Sequence, residues 1–261
     1  MNLELEGRVA WVLGASSGIG RATAESLARE GCAVAVSARR AEVLDEVATN
    51  ITSTGGRCLA VPVDVTDAAS IDAGAEQVRA RLGPVDILIA NGGGPPAGAF
   101  VDLSESELND AFSLTVASAW RLTKAVVPAM RAKRAGFIAF ITSSSTQEVI
   151  TGLLLSNSLR AAVVGLAKTL SKELGPDGIR VVCVAPGRIR TPRSDRLDGL
   201  RARRRGISIE ELRDEAQANI PLRRYGKPDE IGDVIAFLAS ERAAYVTGIS
   251  VLVDGGMLDS L

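Results

Sequence analysis

What most constrains this chain is a repeated alternation: short, predominantly apolar runs separated by stretches with helical character. The runs are 9–13, 33–37, 58–63, 85–90, 137–141, 179–185 and 249–253. They lack the polar alternation of a half-exposed strand, so they predict strands covered on both faces. Between them lie helical patterns with start and stop signals. The stretch 21–30 is halted by Gly31, and 41–54 ends at Gly55-Gly56. Asp67 can cap a helix that runs to 82 and stops at Gly83-Pro84, and Ser104 with Glu107 forms a capping box opening a long helix toward 134. Further helices are predicted over 153–174 and 228–239. Strand–helix alternation of this kind implies right-handed crossovers and a parallel sheet. The fold class expected is α/β: one domain over 1–261, a doubly wound parallel sheet of seven strands with flanking helices, and a small helical lid over 188–224. Ligands of such sheets bind beyond the carboxyl ends of the strands, where the strand order reverses.

Composition then removes whole classes of chemistry. The chain has 261 residues and no histidine, so His-based triads, HExxH metalloproteases and a histidine acid or base are excluded. Cys32, Cys58 and Cys183 are odd in number and far apart, with no CxxC pair. No disulfide framework or metal site is expected, and a reducing, cytoplasmic setting fits. The net charge of -1 and 3% aromatic content argue against nucleic acid as a partner. No apolar run approaches the roughly 20 residues that span a bilayer, so no membrane role is expected.

The first strand runs straight into Gly14-Ala15-Ser16-Ser17-Gly18-Ile19-Gly20. Glycines let a backbone turn tightly and approach a pyrophosphate, and the following helix N-terminus offers free N–H groups and a positive dipole end. A tight strand-to-helix turn with no ligand has the same composition; the position in the first βα turn favours the phosphate reading. About 20 residues on, the second strand ends at Ser37-Ala38-Arg39-Arg40. An acid there holds the ribose hydroxyl of NAD, and an arginine the 2′-phosphate of NADP. Two arginines and no acid favour NADP(H) over NAD(H). Cations at a helix start are otherwise unfavourable.

With these residues in view, the chain resembles the short-chain dehydrogenase/reductase family, close to the 3-oxoacyl-carrier-protein reductases. The resemblance spans essentially the whole chain and implies a Rossmann-like fold. The family's Gly-x3-Gly-x-Gly turn corresponds to Gly14, Gly18 and Gly20, with Ser16, Ser17 and Ile19 inside the cradle. Its adenine-contacting Asp corresponds to Asp64, followed by Val65. Its Asn-Asn-Ala-Gly segment is altered to Asn91-Gly92-Gly93-Gly94. Its Pro-Gly after the sixth strand corresponds to Pro186-Gly187, with Ile189 and Thr191 on the nicotinamide side. Thr247-Gly248 and Asp254-Gly255-Gly256 also fit.

The catalytic positions depart from the family. It uses Asn, Ser, Tyr and Lys to reduce carbonyls or oxidise alcohols. The serine corresponds to Ser143, but thirteen residues on stands Ser156 rather than tyrosine, and four further stands Arg160 rather than lysine. The family's Asn falls at Thr115. The register is fixed by the helix that continues through Ala161, Ala162 and Gly165, and the chain's two tyrosines, Tyr225 and Tyr245, lie far downstream. A serine hydroxyl is a much weaker acid than a phenol, and a permanently charged guanidinium cannot relay a proton. Arginine can still stabilise a developing alkoxide. Ser156 and Arg160 share one helical face beside Ser143. The proton would come from water or from Glu148, or the substrate would already carry it, as an iminium does.

Two functions follow as expectations. The first is an NADP(H)-dependent oxidoreductase acting on a small carbonyl or imine, in which Ser156 and Arg160 replace the Tyr and Lys. The second is a catalytically silent NADP-binding protein, serving as a sensor or as a subunit of a hetero-oligomer. The arginine-rich lid could attract an anionic or acyl-carrier-linked substrate, or its arginines could pair with Glu210, Glu211, Asp214 and Glu215 on a solvated surface. The long helices flanking the fifth strand carry apolar residues on more than one face, and the family packs them between subunits. A homodimer or homotetramer is therefore expected.

Overall fold

The computed structural model describes residues 2–260. Seven strands, β1 (Val9–Leu13), β2 (Ala33–Ser37), β3 (Arg57–Ala60), β4 (Ile87–Ala90), β5 (Gly136–Ile141), β6 (Ile179–Pro186) and β7 (Ser250–Val253), form one sheet. Its order is β3-β2-β1-β4-β5-β6-β7 and every pairing is parallel. Residues of β1, β2 and β4 are buried throughout, which explains why Ser37 is the one polar side chain among them. Trp11 fills the interior of β1, and its Nε1–H donates to Ser37 Oγ at 2.9 Å, so the buried indole is satisfied. The predicted strand 58–63 pairs regularly only as far as Ala60. Beyond it the chain stays beside β2, with Val61 N–H and Val63 N–H donating to Val36 and Ala38 carbonyls.

The helices are α1 (Gly18–Arg29), α2 (Ala41–Ser53), α3 (Ala68–Arg81), α4 (Glu105–Phe112), α5 (Ser118–Lys133), α6 (Leu154–Leu174), α7 (Pro192–Arg205), α8 (Ile209–Ala218) and α9 (Pro228–Ala239). They cover both sheet faces. Leu27, Leu44, Val47, Ile231 and Ile235 pack on one face, and Ile71, Val78, Leu122, Val126 and Val163 on the other. Asp67 caps α3 by accepting from Ala69 N–H, and the Ser104–Glu107 box opens α4. The single helix predicted from 105 to 134 is interrupted by a π-helical turn over Ser113–Ala117. The apolar spacing does not register this extra residue in the turn, and such bulges often sit at functional sites. Helix α6 buries one stripe, Leu155, Leu159, Val163, Ala167 and Leu174, while Val164, Leu166 and Leu170 stay half-buried. It is thus not buried all round within one copy. The segment 188–224, expected to form a lid, contains α7 and α8, whose N-termini are capped by Thr191 and by a Ser208–Glu211 box.

Candidate functional site

The strand order reverses between β1 and β4, which places the loops after these two strands side by side. Gly14 turns the chain with φ +63°, and a Cβ there would lie 2.8 Å from the Asn91 amide nitrogen. Both a left-handed backbone and the closeness of the β4 loop therefore demand glycine. Gly18 begins α1 at φ +56°, and a Cβ on it would lie 3.0 Å from the Thr191 methyl. Ser17 precedes α1 without engaging its side chain as a cap, which leaves the N–H groups of the first turn that lack an intrahelical partner available at the cleft edge lined by Gly18 and Ile19. This donor set suits a pyrophosphate.

A cleft of about 1450 Å³ opens along this edge. Every residue predicted to hold a dinucleotide lines it, with the exception of Gly20. Gly20 lies behind the loop, where a Cβ would lie 2.8 Å from Asn91 Nδ2, so it serves packing. Arg39 and Arg40 are exposed at the end of β2, and among the described residues no carboxylate oxygen lies within 4.0 Å of them. At the same end, Asp64 Oδ1 accepts from the Thr66 N–H at 2.9 Å and the Thr66 hydroxyl at 2.7 Å. These bonds, with a smaller contribution from Arg39, hold its carboxyl below the usual range.

The other half of the cleft brings together Ser143, Ser156 and Arg160. Ser143 Oγ accepts from the Ser145 N–H at 3.1 Å, which leaves its own proton free to donate toward the cleft. Ser156 is 5% exposed on the first turn of α6. One turn on, Arg160 reaches back to the end of β5 and donates from its terminal nitrogen to the Ile141 carbonyl at 2.5 Å. Loss of water, and then the positive charge of Arg193, push the Arg160 guanidinium down to about 10. It remains cationic near neutrality. Thr115 does not reach the main cleft. It sits in the π-helical turn behind Gly92 and Gly93, beside a void of about 20 Å³ that Arg160 also borders. The Thr115 hydroxyl has no partner among the described residues, and the void is of single-water size. Glu148 lines the cleft and is exposed.

Arg193, Arg196 and Arg201, part of the basic stretch that the sequence offered for an anionic substrate, line the cleft from α7. Met257 and Leu258 of the C-terminal segment also line it, and the sequence did not single them out. Asp198, 1% exposed, accepts from the Tyr225 hydroxyl at 3.2 Å, and Arg188 donates to the same hydroxyl at 3.3 Å. Burial raises the Tyr225 phenol above its usual value, which makes it a poorer acid. These partners are 27 and 37 positions apart, so local spacing carries no signal of them. The basic stretch as a whole was the only available clue to the α7 arginines. Among the described residues, no group of three or more His, Cys, Asp or Glu is placed to hold a metal, and no helix is long and apolar enough to cross a membrane.

The sheet order, the glycine turn and the cleft at the switch point define a Rossmann-like, doubly wound α/β protein. The family model described as "Enoyl-(Acyl carrier protein) reductase" matches residues 14–258. The chain belongs to the short-chain dehydrogenase/reductase family and is related to the 3-oxoacyl-carrier-protein reductases. It is 35% identical over 256 residues to the oxidoreductase UcpA of Escherichia coli strain K12, covering 97% of this chain and 95% of that protein. It is 34% identical over 256 residues to the 3-oxoacyl-(acyl-carrier-protein) reductase FabG of Thermotoga maritima, covering 98% and 100%. Among solved structures it resembles L-sorbose reductase of Gluconobacter frateurii, in complex with NADPH and L-sorbose, with TM-score 0.95 and 34% identity over 100% of both chains.

Proposed function

We propose that this chain is an NADP(H)-dependent oxidoreductase that reduces a carbonyl or imine carbon with a rebuilt polar site. The observation that carries the reading is the joint placement of Ser143, Ser156 and the desolvated Arg160 in the same cleft as the glycine turn. The NADPH bound by the related L-sorbose reductase supports the cofactor, as do Arg39 and Arg40 in place of an acid. When bound, NADPH supplies the hydride. The α1 N-terminus and the Gly14–Gly18 turn would hold its pyrophosphate, and Arg39 and Arg40 would hold its 2′-phosphate. Ser143 and Ser156 orient the substrate oxygen or nitrogen by hydrogen bonds. Arg160 stabilises the negative charge that develops there, more strongly for lying out of bulk water. Arg160 keeps its own proton, so the proton comes from water; Thr115 and Arg160 border the place where one would sit. A homodimer or homotetramer is part of the same reading, because Phe112 and Trp120 on α4 and α5 are 49% and 59% exposed.

Parallel fluorescence titrations with NADPH and NADH test the proposal. NADPH is expected to bind at least tenfold more tightly, followed by turnover in a screen of ketones and imines. Equal or absent binding removes the cofactor assignment. Tight NADPH binding with no turnover across the screen points to the silent, sensor-like alternative.

A further inference from the structure

Three arginines of the 188–224 segment that do not line the cleft pair with acids: Arg205 with Glu215, Arg213 with Asp195 and Arg224 with Glu230, each at 2.5 Å. Arg190, Arg203, Arg204 and Arg223 neither line the cleft nor, among the described residues, have a carboxylate oxygen within 4.0 Å. Arg193, Arg196 and Arg201 line the cleft, and among the described residues none has a carboxylate oxygen within 4.0 Å. The lining as a whole carries seven arginines against four acids, in a chain of net charge -1. Two arginines belong to the β2 end, and a third, Arg188, faces Asp198. The excess is therefore concentrated on the substrate side.

Like charges gathered without partners, and partly out of water, are costly unless an anion joins them. Burial lowers the pKa of both Arg193 and Arg201; Arg196 adds to the effect at Arg193 and Arg188 at Arg201, where Asp198 and Tyr225 partly oppose it. Arg193 is also held in place. It donates to the carbonyls of Gly94 at 2.7 Å and Pro95 at 3.1 Å, across the mouth of the cleft. Any Cβ at position 94 would collide with its guanidinium, so Gly94 is the seat that admits it. Two of its five donors serve these carbonyls and the others remain available.

We propose that the substrate of this cleft carries an oxyanion, a carboxylate or a phosphate, and that Arg193, Arg196 and Arg201 of α7 bind it. The inference rests on the cleft being the substrate site of an NADP(H)-dependent enzyme. It sets the anionic group on the lid side of the reacting carbon, where its charge also offsets the repulsion between Arg193 and Arg160.

The test is calorimetry on protein saturated with NADPH, titrated with inorganic phosphate and separately with malonate at constant ionic strength in chloride. Saturable binding of one or both anions is expected, the tighter one naming the group. The double variant Arg196→Gln/Arg201→Gln should weaken that binding at least tenfold, while its NADPH affinity, which also reports a folded site, stays within twofold of wild type. Heats no greater than the chloride background overturn the inference, as does anion binding unchanged in the variant. A tenfold loss of NADPH affinity in the variant also overturns it, by assigning these arginines to the cofactor's phosphates. Wild type that fails to bind NADPH is seen before any anion is added. That result removes the functional reading itself, and this inference with it.

Discussion

At the scale of single residues, the proposed chemistry turns on Arg160. Its guanidinium, withdrawn from water and anchored to the Ile141 carbonyl, is a preorganised positive charge in the cleft that Ser143 and Ser156 also line. Removing a donor of the oxyanion-hole type lowers turnover by about 10²–10³. Arg160→Ala is therefore expected to reduce kcat by that factor and to leave the NADPH dissociation constant within about twofold. Steady-state kinetics beside a binding titration read both, and unchanged kcat would remove Arg160 from the mechanism. The residue was legible in the sequence because the family's spacing from Ser143 led to it. Its anchoring to β5 was not, since that contact joins positions 19 apart. The three cysteines belong to the same scale. Burial pushes Cys32 and Cys183 up to about 12 and Cys58 up to about 11, so none is a ready nucleophile.

At the scale of elements, local signals placed most helices well. Capping residues act within three or four positions of their targets, so Asp67, Ser104 and the Pro228 start could be read directly. The π-helical turn at Thr115 escaped, because it depends on packing against the β4 loop: a Cβ at Gly92 would lie 2.9 Å from the Leu114 carbonyl. Helix α9, which packs on α1, gives a prediction. Glu230 accepts from the Lys227 N–H at 2.7 Å and from Arg224 at 2.5 Å, and these partners, Arg224 first, hold its carboxyl down to about 2. A carboxyl lowered in the fold stabilises it above the usual value near 4.5, and the contribution is lost as pH falls toward about 2. Glu230→Gln should lower Tm by about 1–3 °C at pH 7, a modest effect because the pair is solvent-screened. The gap to wild type should narrow below pH 4.5. A gap that stayed constant down to pH 3 in thermal melts would detach it from Glu230 ionisation.

At the scale of the whole molecule, half-buried α6 residues and exposed Phe112 and Trp120 leave apolar surface that a second copy would cover. Light scattering at micromolar concentration should give a dimer or tetramer; a monomer would count against the assembly. The seven strands, the parallel sheet and the glycine turn after β1 were determined by the sequence alone. Burial on both faces keeps the central strands largely apolar, and turns and caps act between near neighbours, so linear order records them. Only the tertiary structure decided which of the lid's arginines face the cleft and which pair with acids. It alone brought Asp198, Tyr225 and Arg188 together, seated Arg193 over Gly94, and set Thr115 behind the cleft rather than in it. The physical reason is range. Charge pairing and close packing act through space at a few ångströms, and the chain separates these partners by up to 99 positions.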